Sequence, residues 1–398
     1  MASQTAQQRA FPPWPYYADD EIAAVQRVLS SGRVNYWTGE EGREFEREYA
    51  AYVGVDHAVA LANGSVALEL ALRALDIKAG DEVIVTPRTF IASASSIVIC
   101  GATPVFADVD PDSQNITAQT KAPQISDRTR AIILVHLAGW PCDMPSILEL
   151  AGRHGDHSIE DCAQAHGATY DRRPVGSFGD IGVFSFCQDK IITTGGEGGM
   201  LVTRSRPLWE KAWAYKDHGK SHAAVYGPAH SKNGAFRWVH ESFGSNFRMT
   251  EMQAAIGRIQ LKKLDDWVDR RTQNALILIE RLSKIQALRV PKNDGHIRHA
   301  YYKFYAFVKP ELLRRGWSRD RIINAINELG APCFSGSCSE VYREGAFRNS
   351  PFRLDTRLPV ARELGDTSLT FLVHPTLTAD DMDHVADIVE RVLQQAQA

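Results

Sequence analysis

The chain has 398 residues, 44% of them hydrophobic, with 45 basic and 48 acidic residues and a formal net charge of -3. That length supplies a large core and suggests about two to three domain-sized units, and no basic tail or stripe marks a nucleic-acid binder. Six cysteines (Cys100, Cys142, Cys162, Cys187, Cys333 and Cys338) form no C-x-x-C pair, which argues against a structural zinc site of that kind, and a disulfide scaffold is not expected in so large a chain without a secretion signal.

The N-terminus, Met1 to Arg9, is polar and does not read as a signal peptide. From about Val55 to Thr203, strand-like runs alternate with helical stretches. The strands are expected at His57–Ala62, Glu82–Thr86, Pro104–Asp108, Arg130–Leu137, Ser158–Asp161, Gly182–Phe186 and Met200–Thr203. Several are continuous apolar runs, as in strands buried on both faces. Helices are expected at Ser65–Leu75 and Met144–His154. The uncharged stretch Phe90–Ala107 is broken by Ser, Thr, Gly and Pro, so it reads as a buried helix and a strand rather than a membrane span. The chain is expected to be soluble and cytoplasmic.

This alternation predicts an α/β domain with a mostly parallel sheet of seven strands, whose ligands gather at the carboxyl ends. From Thr250 the pattern changes to two amphipathic helices, Thr250–Asp269 and Arg270–Ile285. A strand, Tyr301–Val308, and helices at Ser318–Leu329 and Ala379–Gln394 follow. Residues 1–250 are thus read as a large α/β domain, and 251–398 as a smaller α+β domain joined by a long helix.

The strand Gly182-Val-Phe-Ser-Phe runs into Cys-Gln-Asp-Lys190, then the glycine-rich Thr193-Thr-Gly-Gly-Glu-Gly-Gly199. A lysine at the mouth of a sheet can form a Schiff base with a carbonyl. By itself, though, Lys190 reads as a solvated lysine. The glycine run is no P-loop, because no Gly-Lys-Ser/Thr ends it.

Other segments add what Lys190 lacks. Asn63-Gly64-Ser65 ends a strand, and a helix begins at or near Ser65. Its free N–H groups suit a phosphate, or serve only an ordinary N-cap. Phe90, at a strand end, is placed to stack on a flat ring or to fill the core. Asp161 ends the fifth strand, where it can pair with a protonated pyridine nitrogen or act as a turn acid. Gln164 can reach a ring hydroxyl. His166 reads as packed and structural, with no metal partners at suitable spacing. Ser185 can share the phosphate of Gly64–Ser65, and Asn246 reads as a turn residue. A Schiff-base lysine, a phosphate cradle and an acid facing a ring nitrogen are what pyridoxal 5'-phosphate (PLP) requires.

These residues resemble the DegT/DnrJ/EryC1/StrS sugar aminotransferases, on the aspartate-aminotransferase-like (type I) fold. The resemblance rests on Asn63-Gly-Ser, Thr89-Phe90, Glu160-Asp-Cys-Ala-Gln-Ala-His-Gly, Ser185-Phe with Lys190, the Thr193–Gly199 run, and Gly244-Ser-Asn-Phe-Arg-Met, in the family's order. It implies that Lys190 links covalently to PLP and later carries the proton. Asp161 would pair with the ring nitrogen, Phe90 stack on the ring and Gln164 contact its oxygen. Gly64, Ser65 and Ser185 would hold the phosphate. Asn246 would reach the neighbouring subunit's cofactor, which implies a homodimer with shared sites. One extra glycine, Gly195 or Gly196, departs from the family's Thr-Thr-Gly-Glu-Gly-Gly, so a different turn is expected after the lysine. Pro332–Glu340 matches no substrate-pocket pattern.

The implied reaction moves an amine from an amino acid, L-glutamate by expectation, to a keto sugar linked to a nucleotide, for polysaccharide or glycoconjugate synthesis. Three alternatives stand beside it: a PLP-dependent sugar dehydratase, a PLP-binding sensor without turnover, and an aminotransferase of simple amino acids. In the dehydratase branch histidine replaces the lysine, so Lys190 argues against it.

Overall fold

The computed structural model describes residues 9–227, 238–293 and 295–398. Two amphipathic helices open the chain, α1 (Asp19–Ser31) and α2 (Glu41–Val53). Then β1 (His57–Leu61), α3 (Gly64–Ala74), β2 (Glu82–Val85), α4 (Ala92–Ile99) and β3 (Thr103–Phe106) alternate. They are followed by β4 (Thr129–Val135), α5 (Met144–His154), β5 (His157–Asp161), β6 (Ile181–Ser185), β7 (Gly199–Thr203) and α6 (Arg206–Tyr215).

All seven expected strands join one sheet, in the order β1-β7-β6-β5-β4-β2-β3. Neighbours from β6 to β3 run parallel, while β7 runs antiparallel to both β1 and β6. The carboxyl ends of β1, β2, β4, β5 and β6 therefore share one edge, where ligands of open α/β sheets gather. Alternate side chains enter different cores, as a period of two requires. Val59, Leu61, Val183 and Leu201 pack among α3, α4 and α6. Ala58, Ala60, Phe184 and Val202 face Phe45 and Tyr49 of α2.

The two long helices expected after Thr250 are one, α7 (Glu251–Leu282), 32 residues long. At 1.5 Å per residue it spans about 48 Å. Nothing between Asp269 and Arg270 breaks it, since neither Gly nor Pro occurs there. Thr250 and Gln253 close a capping box at its start. Its first half (Ala254, Leu264, Val268) packs with the core around α2, and its second half (Ala275, Leu278, Leu282) with a separate apolar cluster.

That second cluster lies on a four-stranded antiparallel sheet. Its strands are β8 (Leu288–Arg289), β9 (Phe304–Val308), β10 (Cys333–Phe334) and β11 (Ser368–Phe371), in the order β8-β9-β11-β10. Helices α8 (Arg319–Glu328) and α9 (Ala379–Ala396) cover it. The strand expected from Tyr301 begins only at Phe304. Tyr301 sits at φ +44°, which strand geometry forbids. The Ala300 and Tyr302 amides instead cross to the carbonyls of Gly139 and Ala138.

Candidate active site

At the shared edge of the large sheet lies a cavity of about 940 Å³. Gly64, Ser65, Phe90, Asp161, Gln164, Ser185 and Lys190 all line it. Asn246 does not. It is exposed on a loop, where its backbone pairs with Asp217 and its Oδ1 accepts from the Arg248 amide at 3.4 Å.

Helix α3 starts at Gly64, one residue before the expected Ser65, because Asn63 Oδ1 caps the Val66 amide at 3.0 Å. Glycine is required there by contact: a Cβ on Gly64 would fall 2.7 Å from the Ser185 Cβ. The helix start and the end of β6 thus meet across a gap sized for backbone, with Ser65 and Ser185 both lining the cavity. Such an arrangement could hold an anion such as phosphate.

Glu160 and Asp161 are adjacent, and β5 turns them to opposite faces. Glu160 is fully buried and accepts from the amides of Gly176, Phe178 and Gly179 at 2.7–2.8 Å, and from His136 Nε2 at 3.1 Å. The Cys142 amide donates to His136 Nδ1, which leaves the ring proton on Nε2. His136, Glu160 and Cys162 are the one group of potential metal ligands among the described residues. The ring and the carboxylate are committed to these hydrogen bonds, so Glu160 serves structure.

Asp161 accepts from Ser93 Oγ at 2.8 Å and from the Ala163 amide at 3.1 Å, and Thr89 Oγ1 lies 2.9 Å from Ser93 Oγ. Burial pushes the Asp161 carboxyl up, against the Ser93 hydroxyl, the Ala163 amide and the charge of Lys190. A cationic ring nitrogen beside it would offset that burial and hold it ionised. Gln164 Oε1 is taken by the Ala138 amide at 2.8 Å, leaving its NH₂ to donate. Phe90 is 67% exposed, so a ring face is free for stacking.

His166 is fully buried, as the sequence reading expects. Its Nε2 faces the Ser185 carbonyl at 2.8 Å and must donate, so Nδ1 accepts from the Tyr49 hydroxyl at 2.8 Å. Burial pushes the ring down to about 3, and it stays neutral. It fixes the backbone of Ser185.

Lys190 Nζ lies 3.7 Å from Asp189 Oδ1 and 5.0 Å from the Tyr302 ring centroid. Beyond it, Gly195 (φ +82°) and Gly196 (φ +114°) turn in succession, conformations that glycine adopts without strain. A Cβ on Gly196 would meet nothing within 4 Å, so its backbone angle is the reason for glycine. The extra residue is accommodated as a double left-handed turn.

The sequence reading misses the roof. Tyr302, Lys303, Phe334 to Cys338 and Thr370 line the cavity from the C-terminal half. The Thr89 amide donates to the Cys338 carbonyl at 3.1 Å, and the Ser337 amide to the Tyr305 hydroxyl at 2.9 Å. Arg88 is fully buried, with its guanidinium 5.4 Å from the Tyr305 ring and its Nε donating to Gln114. The unmatched segment Pro332–Glu340 was the available signal for this wall.

Comparison with known proteins agrees with the geometry. The model of the DegT/DnrJ/EryC1/StrS aminotransferase family matches residues 15–390. The spore coat polysaccharide biosynthesis protein SpsC of Bacillus subtilis (strain 168) is 35% identical over 382 residues, 96% of each chain. The UDP-N-acetyl-3-dehydro-α-D-glucosamine 3-aminotransferase of Acidithiobacillus ferrooxidans is 35% identical over 94% of each. The X-ray structure of an aminotransferase from Psychrobacter cryohalolentis superposes with a TM-score of 0.95 at 56% identity, covering 97% of this chain and 99% of that one.

Proposed function

The chain belongs to the DegT/DnrJ/EryC1/StrS aminotransferase family, and from that premise we propose that it transfers an amino group from L-glutamate to a nucleotide-linked keto sugar with PLP as cofactor. The observation that carries this reading is the convergence of Lys190, Asp161 and the Gly64–Ser65–Ser185 cradle on one cavity. The site fits the cofactor: the cradle is closed to any Cβ at Gly64, and Asp161 is a buried carboxyl in want of a cation.

Gly64, Ser65 and Ser185 would hold the phosphate, Phe90 would stack on the ring, and the Gln164 NH₂ would be free to donate to its oxygen. When bound, PLP supplies an electron sink that stabilises charge developing on the donor's α-carbon. Asp161 would pair with the ring nitrogen and hold its proton. Lys190 anchors the cofactor, and its Nζ then takes the α-proton of the donor and delivers it onward. Overall, the amine of L-glutamate would replace the keto oxygen of the sugar, and the donor would leave as 2-oxoglutarate, with oxygen exchanged through water, so that atoms and electrons balance without any oxidant or reductant.

The keto-sugar acceptor follows the Acidithiobacillus relative, whose name gives such a substrate. Asn246, exposed and outside its own chain's cavity, is read as reaching the cofactor of a partner subunit in a homodimer. A large unit over 1–250 and a smaller one over 251–398, and a cytoplasmic setting, belong to the same reading. Two separate cores lie along α7, which is shared between them: Ala254, Leu264 and Val268 pack with the core around α2, and Ala275, Leu278 and Leu282 with the C-terminal cluster. No helix among the described residues is long and apolar enough to cross a membrane.

The test is incubation of the PLP-loaded protein with ¹⁵N-glutamate and a panel of nucleotide keto sugars. A sugar product carrying ¹⁵N is expected. Loss of water without gain of nitrogen, or labelled transfer only to simple 2-keto acids, would refute the reading.

A further inference from the structure

Behind Lys190 the structure is braced in a way that cofactor binding alone does not require. Trp14 Nε1 donates to the Lys190 carbonyl at 2.9 Å. The fully buried Arg271 guanidinium lies 5.1 Å from the Trp14 ring centroid. Its Nη1 donates to the carbonyls of Tyr302 at 3.2 Å and Tyr301 at 3.4 Å. One arginine–tryptophan contact therefore steadies both the Lys190 loop and the segment that carries Tyr302.

Asp189 lies between these braced segments. The Tyr302 hydroxyl donates to Asp189 Oδ2, and Lys190 Nζ lies 3.7 Å from Asp189 Oδ1. Asp189 and Tyr302 also line a second cavity of about 370 Å³, so they form the wall between it and the main one. Burial raises the Asp189 carboxyl, yet the Lys190 charge and the Tyr302 hydroxyl hold it below the usual range. Burial, then Asp189, pushes the Tyr302 hydroxyl well above its usual range, so it remains a donor.

We propose that Asp189 and Tyr302 are the seat of the Lys190 nitrogen: positioning residues that hold Nζ and its proton, both as the free amine and when the lysine is bonded to the cofactor. The proposal rests on the amino-transfer reading above. A lysine amine on four rotatable bonds has no fixed direction of its own, and proton transfer needs one. A carboxylate oxygen and an aromatic face, each anchored, supply it. A half-open ion pair adds little to folding, so the seat acts on where the amine points. The other charged groups nearby are Lys303, whose Nζ lies 5.1 Å from the Tyr302 ring, Arg271 behind, and Asp161, whose carboxyl feels the Lys190 charge. His166 is neutral.

The test uses the PLP-loaded protein and the variants Asp189→Asn, Asp189→Glu and Tyr302→Phe. Two readouts are taken: the single-turnover rate at which L-glutamate bleaches the visible band, and the pH midpoint of that band without donor. Asp189→Asn is expected to keep the cofactor and melt like the wild type, but to bleach at least about tenfold more slowly. Its midpoint should move to lower pH, because a negative charge that favours the protonated linkage is gone. Asp189→Glu should recover part of both changes, and Tyr302→Phe should show smaller shifts of the same sign. Wild-type bleaching and midpoint in Asp189→Asn would overturn the proposal, as would slowing without a midpoint shift. If Asp189→Asn does not fold, Tyr302→Phe decides by the same two readouts. Should the wild type itself lack a band or ignore L-glutamate, the amino-transfer reading falls and the seat with it. A responsive wild type with unchanged variants removes the seat alone.

Discussion

The floor of the cavity and its roof are built differently. The floor comes from strand ends of one sheet: Asn63 to Ser65 after β1, Asp161 to Gln164 after β5, and Ser185 to Lys190 after β6. Each piece is a short run in which the strand fixes the backbone and the next turn fixes the side chain. The roof comes from Tyr302–Lys303, Phe334–Cys338 and Thr370, far apart in sequence and brought together by the small sheet, where Phe334 pairs with Thr370, and by hydrogen bonds such as that of the Ser337 amide to the Tyr305 hydroxyl. On the proposed function, the chemistry common to amino transfer would fall to the floor together with Tyr302, and contact with the particular sugar to the rest of the roof.

The largest expected effect is on the floor. Lys190→Ala should remove turnover while circular dichroism and melting temperature stay at wild-type values. Full activity in that variant would erase the distinction between floor and roof. Asp161→Asn should follow, costing several kcal/mol of barrier because the ring nitrogen is no longer held protonated. A loss in kcat below about tenfold, or 1.4 kcal/mol, would contradict the pairing.

Gly64→Ala separates site from fold. Alanine is the better helix former by up to about 1 kcal/mol, so the helix itself should not suffer. The new Cβ would nevertheless fall 2.7 Å from the Ser185 Cβ, and PLP affinity measured by equilibrium dialysis should drop about tenfold. Unchanged affinity would mean that the cradle is not where the phosphate sits. The smallest effect is expected on the roof. Phe334, half-exposed at the cavity wall, should on truncation to alanine raise KM for the sugar several-fold and leave the glutamate half-reaction untouched. A slowed half-reaction would show that the roof shares the floor's chemistry.

The same contrast explains what could be read from the sequence. The seven strands are apolar runs bounded by turns, and each falls in the expected sheet. Met144–His154 has its expected ends. The floor residues were legible because an Asp or Lys ending such a run has little freedom to go elsewhere. Helix α7 was divided in two because its buried face passes from one core to another near Val268 and Ala275, and that change looks like a boundary. The roof stayed hidden because no local pattern records that the Cys338 carbonyl meets Thr89, or that Tyr301 takes a left-handed turn over Gly139. Glu160 was hidden likewise: its neighbour Asp161 carried the motif, and its four hydrogen-bond donors come from distant segments.

The central claim, that Lys190, Asp161 and the Gly64–Ser185 cradle form one amino-transfer site, is tested most directly by the visible spectrum of the PLP-incubated protein before and after L-glutamate. A yellow band that bleaches on adding glutamate and returns on adding 2-oxoglutarate is the predicted result. A protein that stays colourless with PLP, or a band in Lys190→Ala equal to that of the wild type, would contradict it.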